Sequence, residues 1–472
     1  MTNHSHLSSE RARRPRARLS TAGPALLAAA LLAGCASPSP SPETTAGAPA
    51  SDSPSAPQSA SHGPSQSPSQ GAAASTDAHA KDAGNGHGTE VAAPVPRLVA
   101  TYDGGVLTLD ATTLEQVADE KIPGFLRVNP AGDGRHAFLS TDKGFRLFDA
   151  GTWSEAHGDH SHSYTADPKA TSATVAADHP GHVVVHGGRT ALFADGTGTV
   201  SLLETDAIAK GAEAGSLRPV GSVSAPQPHH GVAVPLPDGG LAMTRSKGEE
   251  RTGMSVYAKD LKTVTHSSDD CPGTHGEAVA KGGAVVFGCE NGVLIYTKGA
   301  IKKVASPDKI GRIGNQAGSE ASPIVLGDYK VRPSEGTREH PTRVSLIDTR
   351  TGTIRLVDVK ASYTFRSLGR GPAGEALVLG TDGKLRVLDP ATGRITKEIR
   401  VTDAWTEPEE WQKPRPALHV QGATAYVTDP ATRRLVSVDI PSGEIVKETT
   451  TTQPINEITS VTGKAARAPH SH

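Results

Sequence analysis

Aromatic, sulfur-bearing and long apolar stretches are scarce in these 472 residues. Aromatics make up 4%, there are three cysteines and three methionines, and the formal net charge is −2. A near-neutral chain without a clustered basic face lacks the electrostatic footprint that nucleic acid requires. No helix-rich domain is supported by the pattern of apolar residues. Also missing are a serine nucleophile elbow, a phosphate-cradling glycine loop and the helical His-Glu-x-x-His of zinc peptidases. Nothing therefore points to catalysis, and the expectation is a protein that is not an enzyme. What the chain does have is 51 glycines, 35 prolines and 20 histidines, the histidines gathered in short clusters.

The first residues read as a targeting segment. Arg11, Arg13, Arg14, Arg16 and Arg18 precede a short apolar run at 26–32. That run falls short of the ~20 residues a membrane span needs. Leu32-Ala33-Gly34-Cys35 has the form of a bacterial lipobox. The expectation is a signal peptide over 1–34, with Cys35 lipidated and the protein exported and anchored to the outer face of the cell membrane. An ordinary secretory signal with a chance cysteine is the alternative, and Arg13-Arg14 leaves Sec against twin-arginine export open. Residues 35–96 are Ser, Pro, Ala and Gly with few large apolar side chains, hence a flexible tether. His62, His79 and His87 punctuate it, as decoration or as a mobile metal collector. Residues 464–472 read as a disordered tail.

With Cys35 set aside, Cys271 and Cys289 remain. In an oxidising compartment they are expected to pair, with a thiolate zinc site as the alternative.

From Arg97 to about Gly463 short strands alternate with turns. Leu98-Val99-Ala100-Thr101-Tyr102 and Val106-Leu107-Thr108-Leu109-Asp110 flank Asp103-Gly104-Gly105 as a hairpin. A strand ending in Asp, followed by Thr-Gly or Ser-Gly, recurs at Asp348, Asp389 and Asp439. Candidate inner strands start near Phe125, Ser172, His229, Thr274, Arg312, Phe365, Arg415 and Ile455, spaced by roughly 40 to 57 residues, as for four-stranded blades. The fold expected over 97–463 is an all-β propeller of eight blades, with seven as the alternative. Its ring would close by pairing the N-terminal hairpin with the last strand, which hides both edges.

Two similar steps into strands stand 45 residues apart: Pro228-His229-His230-Gly231-Val232 and Thr274-His275-Gly276-Glu277-Ala278. As equivalent positions of adjacent blades they bring His230 and His275 to one mouth of the axial channel, flanked by His229 and Glu277. Imidazole with carboxylate suits zinc, with copper or nickel as alternatives. The competing reading is a pair of unrelated turn histidines. A second cluster, His157-Gly158-Asp159-His160-Ser161-His162, has the composition of a capture loop. His182 and His186, four residues apart on one strand, would be ~13 Å apart, so at most one joins the main site.

These segments, with Cys271-Pro272-Gly273-Thr274-His275 and Phe287-Gly288-Cys289-Glu290-Asn291-Gly292, resemble the AztD family. The similarity extends from Arg97 to Gly463 and includes Trp411 to Pro416 and Val427-Thr428-Asp429-Pro430. These are exported zinc metallochaperones encoded with zinc ABC importers. The resemblance implies a β-propeller that holds zinc and passes it to the importer's solute-binding protein without catalysis. It also implies metal roles for His229, His230, His275 and the 157–162 loop. This chain has Ser161-His162 where relatives are expected to continue with another Gly-Asp. A monomer is expected, with zinc affinity falling below about pH 6 as imidazoles protonate. The rival reading is a propeller scaffold for a protein or cell-wall ligand, its histidines incidental.

Overall fold

A computed structural model describes residues 88–331 and 339–464. Cys35, the leader, His62, His79, His87 and the tail beyond Lys464 lie outside them. The described residues are all-β apart from a helix at Ile208–Glu213 and a 3-10 turn before it. They form eight four-stranded antiparallel sheets and one three-stranded sheet, a propeller-like succession.

Seven of the four-stranded sheets follow one another along the chain, their first strands at Arg127–Pro130, Pro180–His186, Ala233–Pro235, His275–Ala280, Gln316–Ala317, Leu368–Arg370 and Ala417–Gln421. The eighth is assembled from both ends of the folded chain. Glu457–Val461 pairs with Arg97–Tyr102, which continues to Gly105–Asp110 and Gln116–Lys121. Arg97 lies opposite Val461 and Thr101 opposite Glu457. The expected pairing of the N-terminal hairpin with the last strand is therefore present.

Packing explains why the middle strands read as nearly unbroken apolar runs. Side chains alternate across a strand, and here both faces are covered. In Arg97–Tyr102, Leu98 and Ala100 join a cluster with Tyr426 and Leu435 of the seventh sheet, while Val99 packs with Val128 and Leu139 of the first. Ala284–Cys289 does the same: Val285, Phe287 and Cys289 face the third sheet, and Val286 faces the fifth. Outermost strands such as Glu444–Thr450 are largely exposed and mix in charges. The eight apolar clusters each join successive sheets, and one joins the seventh sheet to the one built from both chain ends.

Two sequence expectations shift. The strand expected to open a blade near Ser172 is Lys169–Ala176, and it pairs with Gly144–Asp149 in the first sheet. The next sheet opens at Pro180 instead. The cause is an excursion between those two strands, the hairpin of Thr152–His157 and His160–Thr165. Ordered structure also begins before Arg97, because Thr89–Val91 pairs with His160–Thr165 inside the stretch assigned to the tether.

Cys271 and Cys289 form a disulfide in the cluster shared by the third and fourth sheets. It ties the entry of the fourth sheet to its second strand, next to His275.

Candidate metal centre

Three successive sheets each contribute one imidazole to a single point. His182 lies within Pro180–His186, His230 three residues before Ala233–Pro235, and His275 opens His275–Ala280. The Nε2 atoms of His230 and His275 are 3.1 Å apart, and those of His182 and His230 are 3.3 Å apart. One ligand nitrogen from each residue lies within 4.8 Å of the others.

The backs of the rings decide what those nitrogens can do. His275 Nδ1 is 2.6 Å from the Gly314 carbonyl, which can only accept, so Nδ1 carries the proton. His230 Nδ1 donates in the same way to Asp195 Oδ2 at 2.6 Å. In neutral imidazoles both Nε2 atoms then present lone pairs to each other, an arrangement that repels unless a cation lies between them. Glu277 stands behind His182, 3.8 Å from its Nδ1. A carboxylate or carbonyl bonded to the second ring nitrogen, as at His230 and His275, is the usual way of fixing the tautomer of a metal-binding histidine.

Local backbone makes this convergence possible. Gly276 has φ +71°, and a Cβ there would fall 2.6 Å from the Gly314 carbonyl oxygen that holds His275. The register shifts at this point, with His275 opposite Gly288 and Glu277 opposite Phe287. A Cβ on Gly181 would come within 2.3 Å of Asp195 Oδ1, so only glycine lets that carboxylate approach.

Burial and charge favour the neutral imidazole at His182 and His275. His275 is pushed down to about 4 by burial and by its neighbour His230, against the pull of the Gly314 carbonyl. His182 lies well below the usual histidine range, through burial, then the nearby His230 and His275. Burial pushes the Glu277 carboxyl up to about 8. A loss of affinity at pH 6 through protonation of His182 or His275 is therefore not expected; their competition with metal starts lower.

The sequence pairs His230 with His275 and allows at most one of His182 and His186, without distinguishing them. His186 instead donates from Nδ1 to the Pro235 carbonyl at 2.7 Å, linking two sheets. The hydrophobic setting of Val183-Val184-Val185 gave no sign of which histidine would turn inward. His229 is not brought to the cluster. It is buried with its ring 5.5 Å from Phe193 and its Nδ1 3.0 Å from the Gln227 carbonyl. Glu277 lines the same cavity as the three histidines, but it sits behind His182.

The second cluster is held together too. His157 and His160 face each other across the two-residue turn Gly158-Asp159. His160 Nε2 is 3.1 Å from His162 Nε2, and the His157 ring centroid is 5.2 Å and 5.5 Å from those two rings. Asp159 contacts His160 Nδ1 at 3.1 Å on the exposed side. Glu90, from the segment expected to be a tether, holds His162 Nδ1 at 2.6 Å. His157, His160 and His162 form a second potential metal-holding group.

Among the described residues no helix is long and apolar enough to cross a membrane. No family model matches the chain. The zinc chaperone AztD of Citrobacter koseri is 28% identical over 328 residues, covering 67% of this chain and 74% of that protein. A crystal structure of Citrobacter koseri AztD superposes with a TM-score of 0.67 at 25% identity, covering 78% of this chain and 98% of the other. A structure of apo AztD from the same organism gives 0.66 at 24% identity over the same shares. The likeness carried by the histidine motifs thus extends to most of the folded chain: this protein is similar to the zinc chaperone AztD in sequence and in fold.

Proposed function

We propose that this protein is an exported zinc chaperone that captures zinc at His182, His230 and His275 and hands it to the solute-binding protein of a zinc ABC importer. The observation that carries the reading is the meeting of three imidazole Nε2 atoms whose opposite faces are backed by Asp195, the Gly314 carbonyl and Glu277. Zinc–nitrogen bonds of about 2.0–2.1 Å place tetrahedral ligands roughly 3.3 Å apart, close to the 3.1 Å and 3.3 Å found. The donor set fits zinc as cargo. Similarity to the AztD chaperone supports that metal over copper or nickel.

The scaffold in this reading is an eight-bladed propeller, its blades being the eight four-stranded sheets. The unbroken series of inter-sheet clusters that returns to its start supports the closed ring. The three ligands come from three adjacent blades, so a displacement of one strand disturbs one ligand. Transfer would proceed by ligand exchange, an incoming side chain replacing one imidazole at a time. The hairpin cluster at His157, His160 and His162, with Asp159 beside it, would be a weaker exposed collecting site. Lipidation at Cys35 would keep a monomeric carrier beside the importer, the tether setting its reach.

The test is zinc content and affinity of the purified protein by chelator competition, beside His230→Ala/His275→Ala, followed by transfer to the solute-binding protein. Tight stoichiometric binding that the double variant loses is expected. A wild-type protein that binds no zinc tightly would overturn the proposal.

A further inference from the structure

The three imidazoles form part of the wall of a cavity of about 480 Å³ whose remaining lining is an unusual setting for a cation. Arg127, Arg312 and Lys330 line it, against one carboxyl, Glu277, and the rings of Phe365 and Trp411. Each cation is paired with a carboxylate outside the lining: Arg127 with Glu457 at 3.2 Å, Arg312 with Glu339 at 2.9 Å, Lys330 with Asp328 at 3.1 Å. The lining thus carries three cationic side chains whose partner carboxylates are not part of it. The Arg312 guanidinium also lies beside Gly314, whose carbonyl holds His275. Arg251 adds to the positive field at His182 and His275.

Three histidines leave one position of a tetrahedral zinc ion open. Three cationic side chains in the lining favour an anion beside a dication held there. Glu277 does not fill that role from its place behind His182.

We propose that this cavity is a carboxylate subsite, in which an external carboxylate enters between Arg127 and Arg312 and takes the fourth position on the ion held by His182, His230 and His275. The inference rests on the metal-site reading above. It makes the anion part of loading and release: the ion gains its fourth ligand from outside, and that ligand is the first one an acceptor can supply. Phe365 and Trp411, 36% and 44% exposed, offer apolar footing to a chain carrying such a side chain. Aromatic and arginine side chains together are typical anchors at protein contacts.

The experiment uses the full chain loaded with Co²⁺, whose visible spectrum reports its ligands. Acetate is titrated at constant ionic strength up to about 100 mM, because salt screens such contacts. A capped Leu-Asp-Leu peptide is titrated in parallel. A saturating spectral change is expected, weakened about tenfold in Arg127→Gln/Arg312→Gln by loss of the facing charges. Co²⁺ affinity in that variant should not fall. Both substitutions leave the paired carboxylates a second partner, since Arg366 also bonds Glu457 and Lys330 also bonds Glu339. Tighter binding of the peptide than of acetate would assign the carboxylate to a protein chain, and equal binding would assign it to a small solute; both support the subsite. A spectrum indifferent to either probe, or an equal response in the double variant, would overturn it while leaving the metal site standing. A Co²⁺ spectrum that survives His230→Ala would instead overturn the metal-site reading and this inference with it.

Discussion

At the scale of single residues, the centre depends as much on what stands behind each ring as on the rings. Removing His182, His230 or His275 takes away a proposed ligand, and each alanine variant should lower zinc affinity by at least ~100-fold. Asp195→Asn keeps the ligand but weakens its orientation, and second-shell changes of this kind cost about 10–100-fold. His229→Ala should leave zinc affinity nearly unchanged, because that ring packs on Phe193. Chelator competition on the set separates these effects, and equal losses for His229 and His230 would contradict the assignment. The sequence pointed to His230 and His275 through their matching context. It could not separate His229 from His230, because adjacent residues differ in direction only once the strand is placed.

Burial of neutral imidazoles also sets a pH dependence for the metal-free protein. His275 and His419 are held at about 4 and His182 is depressed as well, chiefly by burial. Unfolded histidine titrates near ~6.5, so between those values the unfolded chain binds more protons and stability falls as pH drops. Glu277, raised to about 8, acts oppositely from about 4.5 upward. Three imidazoles outweigh one carboxyl between about pH 4 and 6.5. Urea midpoints should therefore decline over that range, and less steeply in His419→Gln, whose imidazole bonds Ser460 Oγ at 2.7 Å. A flat profile would contradict neutral buried imidazoles.

At the scale of elements, backbone geometry places the proposed ligands. Gly276→Ala removes no ligand, yet its Cβ would collide with the carbonyl that fixes His275. It should weaken zinc binding while the rest of the fold, by circular dichroism, is retained. The 152–165 hairpin behaves separately: replacing His157, His160 and His162 together should remove a weaker second equivalent of zinc and leave the tight one. Calorimetric stoichiometry checks this, and loss of the tight equivalent would contradict two independent sites. This hairpin is also why the blade frame slipped at Ser172. A strand interrupted by an inserted pair, then resumed, has the same local pattern as a new sheet. Glu90 was hidden for a similar reason, since a three-residue strand carries too little periodicity to stand out from a tether.

At the scale of the whole molecule, alternating apolar strands and Asp–Thr-Gly turns made the repeated sheet legible. So was the pairing of Glu457–Val461 with Arg97–Tyr102, because each end lacked the strand the other supplied. The convergence of three successive sheets on one point was not legible, since it depends on how the sheets are arranged in space. The Cys271–Cys289 disulfide closes a loop whose removal should cost about 3 kcal/mol in the chain-entropy account. Cys271→Ser/Cys289→Ser should lower the melting temperature and, being adjacent to His275, loosen zinc binding. Unchanged melting would contradict that stabilisation.

The most direct measurement of the central claim is zinc stoichiometry and affinity for the wild-type protein beside His182→Ala, the ligand that only the folded arrangement brings to the site. The account predicts one tight zinc in the wild type and its loss in His182→Ala, with secondary structure unchanged. A His182→Ala protein that holds zinc as tightly as the wild type would contradict it.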